Sequence, residues 1–177
     1  MQMMRTFLFL SFVVVLFISC TGNSGTGKAV STPETSRDQL ITIAEDYIRS
    51  RCREPQKTVA GNGAITIIDG QKSYLIEPSK VFTGPIDDDP GKDAIVSVAT
   101  FDGQYQTTTE HLIILNSSGK YGLAKVIRSD MEILFIKGRV ITADVPTHSR
   151  SSPLFNCSEC RDVLNYQFKG GELVQME

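Results

Sequence analysis

The sequence has no tryptophan and only two histidines, His111 and His148. It also contains neither a G-x-S-x-G nor an H-E-x-x-H motif, the signatures of serine hydrolases and zinc proteases. The lack of tryptophan argues against a platform that stacks on sugar rings. These absences leave no recognisable catalytic motif, and we therefore expect a protein that is not an enzyme.

Basic clusters are also missing from the chain. The sequence has 18 basic and 20 acidic residues, a net charge of −2, and loss of an N-terminal segment containing Arg5 would make the balance −3. Proteins that bind nucleic acid concentrate lysine and arginine on one face or along one stripe. We therefore expect no nucleic-acid partner.

The two histidines have no obvious catalytic neighbours. Glu110 and His111 are adjacent on a predicted strand, so their side chains point to opposite faces and cannot act together. His148 lies among serines in a long irregular stretch, residues 146–160. This composition favours a polar loop over a serine nucleophile, and a long loop on a rigid sheet is a frequent place for binding.

The N-terminus has the features of an export signal. Arg5 precedes a nearly uninterrupted apolar run over residues 7–18. A helix of roughly 12 residues rises about 18 Å, whereas the hydrocarbon core of a bilayer is about 30 Å thick. The run is therefore too short to span a membrane and fits the apolar part of a signal peptide.

The apolar run ends at Phe17-Ile18-Ser19-Cys20, which resembles the lipobox of bacterial lipoproteins. The resemblance implies that residues 1–19 are removed and that Cys20 carries a diacylglycerol anchor. Because Thr21 is not aspartate, it also implies the outer membrane, on the periplasmic side. The alternatives are an uncleaved membrane anchor and cleavage at another position.

The remaining chain divides into a tether and one domain. Residues 20–35 are rich in glycine, serine and threonine, as expected of a flexible spacer. Residues 36–177, about 140 in number, have the length of a single domain that buries its own core. We therefore predict one globular domain held near a membrane by a lipid.

The pattern of apolar residues predicts an α+β fold. A helix that begins at Ser36 presents Leu40, Ala44 and Ile48 on one face, and Pro55 follows it. Closely spaced strands with turn residues between them then predict a mostly antiparallel β-meander sheet beneath that helix. The predicted strands cover residues 64–68, 72–76, 81–82, 94–101, 111–116, 121–127, 132–136, 139–145, 163–168 and 172–176.

One acidic stretch has a distinctive pattern. The run D-D-D-P-G-K-D-A-I-V begins at Asp87 and resembles the acidic loop and strand of FG-GAP/VCBS-like repeats, here in a single degenerate copy. The resemblance implies Ca²⁺ binding by Asp87, Asp89 and Asp93. Pro90 stands where the family has a glycine, and the alternative is a solvated acidic turn in which Asp93 hydrogen-bonds the loop ahead of its strand.

With Cys20 assigned to lipid, three cysteines remain. Cys157 and Cys160 have C-x-x-C spacing, and Cys52 follows the predicted helix. An oxidising compartment favours a structural disulfide, either Cys157–Cys160 or one of these with Cys52. The alternatives are a zinc site that adds His148 and a thiol oxidoreductase.

Together these features predict a lipid-anchored protein of the bacterial cell envelope that acts as a non-catalytic binding or structural module. Residues 146–160 are the expected binding surface. The membrane is the partner that the anchor implies. The sequence leaves open whether the domain binds an envelope protein or a small ligand, metal or glycan, and whether it forms an oligomer.

Overall fold

The computed structural model describes residues 33–155, 157 and 159–177. The predicted signal peptide, Cys20 and most of the predicted tether lie outside these residues. The described chain forms one helix, α1 (Pro33–Arg49), and ten strands. The strands are β1 (Gln56–Val59), β2 (Ile65–Asp69), β3 (Lys72–Gly84), β4 (Asp93–Asp102), β5 (Tyr105–Ser117), β6 (Lys120–Ser129), β7 (Glu132–Lys137), β8 (Val140–Pro146), β9 (Arg161–Lys169) and β10 (Glu172–Gln175).

The strands form two sheets. Sheet A has the order β1-β2-β3-β4-β5-β6, and sheet B has the order β10-β9-β8-β7. Every ladder is antiparallel and joins strands that are consecutive in the chain. The prediction of a mostly antiparallel β fold with one helix is thus confirmed, whereas the prediction of one sheet is wrong, because the pairing breaks between β6 and β7.

The apolar content of the central strands explains why a second layer is needed. Residues 93–98 of β4 are all buried, and so are residues 110–114 of β5. Such runs have apolar side chains on both faces of the sheet, and each face then needs a cover. Helix α1 covers one face and sheet B covers the other.

The helix packs through side chains spaced about one turn apart. Leu40, Ala44 and Ile48 are completely buried and join Val96 and Leu112 of sheet A in one apolar cluster. This is the apolar face that the sequence predicts, although the helix begins at Pro33 rather than at Ser36. Proline suits a first helical position because its missing N–H has no partner there.

The opposite face of sheet A has its own apolar cluster. Ile95 and Ile113 of sheet A pack there with Ile133, Ile141 and Ala143 of sheet B. Residue 84, where β3 ends close to β7, is a glycine for a packing reason, since a Cβ atom on Gly84 would lie 2.8 Å from Cγ2 of Ile136. The absence of a side chain at residue 84 therefore lets β3 approach β7 closely.

Candidate functional site

A bulge in β3 opens sheet A on the side of sheet B. Ile76 pairs with Val98 and Val81 pairs with Val96, so residues 77–80 stand opposite Ser97 alone. Pro78 lies in this bulge and has no N–H to donate to a ladder, which is why proline in a strand is confined to edges and bulges. The extra residues leave a space above Ser97 that a regular ladder would fill.

The space is a cavity of about 260 Å³ between the bulge, β5 and the β6–β7 connection. Its walls are partly apolar, with Leu75, Ala99, Met131 and Ile133. Its polar lining residues are Glu77, Lys80, Ser97, Gln106, Thr109, His111, Asp130, Glu132 and Arg161. We call this space the inter-sheet cavity. A concave, partly apolar site with several convergent polar groups is the usual form of a small-molecule site.

A buried polar pair forms one part of the lining. Ser97 Oγ and His111 Nδ1 hydrogen-bond at 2.9 Å, and His111 is completely buried. The other ring nitrogen, Nε2, has no hydrogen-bond partner in the part of the chain that the structure describes. Burial lowers the pKa of His111 to about 4, although an interaction with the Met131 backbone, outside strict hydrogen-bond geometry, opposes this shift. The ring is therefore neutral at pH 7.

This pair is arranged for hydrogen bonding rather than for nucleophilic catalysis. In a hydrolytic triad, one histidine nitrogen takes the serine proton and a carboxylate orients the other nitrogen. Here no described carboxylate bonds Nε2 of His111, and Ser97 is only 9% exposed. The described residues therefore do not form a hydrolytic triad around Ser97 and His111.

The long loop of residues 146–160 contacts the rim of the cavity. Arg150 donates from Nε to Oδ1 of Asp130 at 2.7 Å and from Nη1 to the Gln106 carbonyl at 2.8 Å. Its guanidinium also lies 5.2 Å from the centre of the Phe155 ring. At the base of the loop, the Thr147 N–H and hydroxyl both donate to the Cys160 carbonyl. The loop is thus a compact unit that one arginine joins to the cavity rim.

The helix side of the same strands has a different polar cluster. Glu110 accepts hydrogen bonds from Nη1 of Arg51 at 2.9 Å and from Nε of Arg128 at 2.8 Å. Burial would raise the pKa of Glu110, but the two arginines outweigh it and hold that pKa below its ordinary value. Glu110 and His111 therefore face opposite sides of sheet A, as the strand geometry predicts.

The acidic stretch is held by backbone contacts. Asp93 is completely buried; its Oδ2 accepts the N–H groups of Ile86 and Asp87, and its Oδ1 accepts the N–H of Asn116. Oδ1 of Asp87 accepts the N–H of Asp89. Both oxygens of Asp93 thus face N–H donors, and the described residues contain no group of three side chains suited to a metal. The residues do not fit the implied ligand set, and Ca²⁺ binding stays a prediction.

The cysteines are separated. Cys157 and Cys160 are bonded to each other within the loop, and Cys52, beyond the end of α1, is a free thiol. The zinc set with His148 is therefore not assembled in the described chain. Cys157 lies in a turn, not at the helix N-terminus where redox cysteines of C-x-x-C motifs commonly lie.

Most of the inter-sheet cavity was not predicted from the sequence. The loop of residues 146–160 was the predicted binding surface, and it only contacts the cavity rim through Arg150. Two signals in the sequence were available: Ser97 interrupts an apolar strand, and Pro78 separates two short predicted strands. The contributions of Glu77 and Asp130 depend on how the two sheets stack, which no local pattern contains.

No protein-family model, curated protein or solved structure matches this chain. Among the described residues, no helix is long and apolar enough to cross a membrane.

Proposed function

We propose that this protein is a lipid-anchored lipoprotein of the bacterial cell envelope whose α+β domain binds a small ligand without transforming it. The observation that supports binding is the inter-sheet cavity, where the completely buried His111 has a ring nitrogen with no hydrogen-bond partner among the described residues. Unpaired buried polar atoms are rare in proteins, since each costs about 1–3 kcal/mol. A ligand that hydrogen-bonds to Nε2 of His111 in the cavity would remove this penalty.

The loop supports the same proposal. Arg150 bonds Asp130 and the Gln106 carbonyl, and both of these residues line the cavity. Arg150 therefore ties the loop of residues 146–160 to two residues of the cavity lining and helps to hold them in place. Long loops on a rigid sheet commonly have this role.

The lipid anchor rests on the sequence, through the lipobox-like segment that ends at Cys20. It places the domain at the outer membrane, facing the periplasm. Metabolic labelling with a radioactive fatty acid tests it, with the Cys20→Ala variant as control. We expect label in the wild type only; equal labelling of the variant would contradict the anchor.

Ligand binding is tested by a thermal-shift screen of small polar compounds on the full chain in detergent micelles. The Ala99→Leu variant fills the cavity, and Ala124→Leu adds the same atoms on an exposed part of β6. We expect at least one compound to raise the melting temperature of the wild type and of Ala124→Leu, but not of Ala99→Leu. A screen in which no compound distinguishes the two variants would contradict the binding function.

A further inference from the structure

One acidic residue of the inter-sheet cavity has no ion-pair partner among the described residues. Lys80 pairs with Glu132, Arg150 pairs with Asp130, and Arg161 pairs with Asp144. Glu77 also lines the cavity and is partly buried. It has no ion-pair partner within 4.0 Å among the residues that the structure describes, and its carboxylate accepts no hydrogen bond there. The cavity and the pairs around it therefore have a net charge of −1.

The other polar groups of the lining are uncharged. They include the Ser97–His111 pair and the Gln106–Thr109 pair, in which Nε2 of Gln106 donates to the Thr109 hydroxyl at 3.0 Å. The partnerless Nε2 of His111 belongs to this set. A neutral ring can donate or accept at Nε2 according to its tautomer, and it does not repel a cation. The cavity thus offers one negative charge and several neutral hydrogen-bonding groups.

The size of the cavity limits the ligand. A volume of about 260 Å³ lies just below the usual range of about 300–1,000 Å³ for drug-sized ligands. Leu75, Ala99 and Met131 provide apolar contacts along the wall. A ligand that fits is short, with a few methylene groups between its polar ends.

We propose that the inter-sheet cavity binds a compact organic monocation, an amine whose ammonium group pairs with the Glu77 carboxylate and whose other end hydrogen-bonds the Ser97–His111 pair. An anionic ligand would face the unpaired carboxylate, and a neutral one would leave Glu77 without a partner. This inference rests on the proposed binding function and adds the chemical class of the ligand.

Three matched probes test the charge of the ligand. We propose titration of 4-amino-1-butanol, 1,4-butanediol and 4-hydroxybutyrate into the full chain in micelles, followed by NMR of the His111 ring and of the Ser97 amide. The probes share a four-carbon chain and a hydroxyl group and differ only in the charge of one end. We expect the amine to shift these signals at a lower concentration than the diol, and the carboxylate to shift them least.

Two variants test the assignment to Glu77. Glu77→Gln removes the charge and keeps the shape, and Glu54→Gln makes the same change on an exposed residue outside the inter-sheet cavity. We expect the amine to bind Glu77→Gln about tenfold more weakly than the wild type, which corresponds to loss of a charge-assisted contact of about 1.4 kcal/mol. We expect it to bind Glu54→Gln as tightly as it binds the wild type.

The outcomes separate the two proposals. If the diol or the carboxylate binds as well as the amine, or if the amine shifts no cavity signal, the cationic class is wrong; the compound screen with Ala99→Leu decides the binding function separately. If the amine binds Glu77→Gln and the wild type equally, Glu77 is not its partner and the proposal is overturned. The comparison of probes on the wild type needs no variant and stands even if Glu77→Gln does not fold.

Discussion

Glu110 and His111 are adjacent in β5 but face opposite sides of sheet A, and they differ in their hydrogen bonding. On the helix face, the buried Glu110 carboxylate is bonded by Arg51 and Arg128. On the sheet B face, His111 is equally buried, yet its Nε2 has no partner within the described chain. Buried polar groups are nearly always paired in native proteins. Glu110 is thus fully paired, whereas His111 keeps an unfilled hydrogen-bonding position beside the inter-sheet cavity. The helix face also has one unpaired buried atom among the described residues, Oγ1 of Thr100.

The helix face is also better braced. The Arg51 guanidinium lies 4.5 Å from the centre of the Tyr47 ring and 5.5 Å from that of Tyr74, so it stacks on aromatic side chains while it binds Glu110. These contacts join the end of α1 to the middle of sheet A. Next to the inter-sheet cavity, by contrast, the bulge at residues 77–80 interrupts the ladder between β3 and β4.

The largest predicted effect tests whether both faces are needed for folding. Leu112 and Ile113 are adjacent, completely buried, and belong to the helix-side and sheet B-side clusters respectively. We expect Leu112→Ala and Ile113→Ala each to lower the free energy of unfolding by about 2–5 kcal/mol, because each leaves a cavity in a packed cluster. Denaturant unfolding measures this.

The matched control is Val163→Ala, since Val163 is 65% exposed on sheet B; a change of about 0.5 kcal/mol or less is expected there. If either core variant were as mild as this control, that face would not contribute to the cooperative fold.

The second prediction concerns the pH dependence of the sheet B face. The pKa of His111 falls from 6.5 in the unfolded chain to about 4 in the folded one, so the folded state binds this proton less readily. The wild type should therefore lose stability as the pH drops below 6.5, by a total of about 3 kcal/mol near pH 4. His111→Asn cannot titrate and should lack this part of the loss. Unfolding curves measured between pH 7 and pH 4 that run parallel for both proteins would rule out a neutral, buried His111.

The third prediction makes the corresponding test on the helix face. Glu110→Gln keeps the shape of the side chain but removes its charge, and we expect a loss of about 1.5–3 kcal/mol at pH 7, the value of a hydrogen bond to a charged group. Because the folded-state pKa of Glu110 is lowered, the wild-type advantage is present above the ordinary carboxyl pKa and is lost as the pH falls through the lowered value. Urea denaturation at several pH values measures it.

Arg128→Ala is the control for that series. The Arg128 side chain is 68% exposed, and exposed ion pairs contribute about 0–1 kcal/mol. A larger loss in Arg128→Ala than in Glu110→Gln would show that the carboxylate is not the centre of the cluster.

The smallest predicted effect tests how tightly the two sheets approach each other. A Cβ atom on Gly84 would lie 2.8 Å from Cγ2 of Ile136. The same Cβ would lie 3.0 Å from Cβ and 3.2 Å from the carbonyl oxygen of Ile136, so β7 itself must shift slightly. We expect Gly84→Ala to lower the melting temperature by a few degrees, corresponding to about 1 kcal/mol of overpacking. Gly61→Ala, with no atom within 4 Å, should not lower it. Equal effects in both variants would mean that the sheets do not touch at Gly84.

The secondary structure was largely predictable because its signals are local. The spacing of Leu40, Ala44 and Ile48 indicated the helix face, and turn residues such as Gly170 and Gly171, which adopt φ of 59° and 82°, marked the hairpins. The edge strand β1 was not predicted, since its four residues are all exposed and carry no alternation. Local patterns therefore indicated the elements that bury one face and missed the one that buries none.

The second sheet and the cavity were not predictable in the same way. The buried runs of β4 and β5 signal two covered faces, but they do not say which elements provide the second cover. Glu77 and Asp130 are far apart in the sequence, on β3 and after β6, so nothing in the sequence indicated that both line one cavity. Similarly, the spacing of Asp87, Asp89 and Asp93 indicated a metal loop by resemblance, whereas the structure shows that Asp93 accepts three backbone N–H groups.

The consecutive pairing of the strands has a consequence for how the chain is made. Each strand of sheet A can join the strand before it as soon as that segment emerges, without waiting for distant residues, and short-range pairing of this kind favours rapid folding. Sheet B comes last, however. Until β7–β10 have emerged, Ile95 and Ile113 have no cover, and a half-synthesised chain presents an apolar sheet face to the surrounding water. The period before the last four strands arrive is therefore the time when this protein most needs a chaperone.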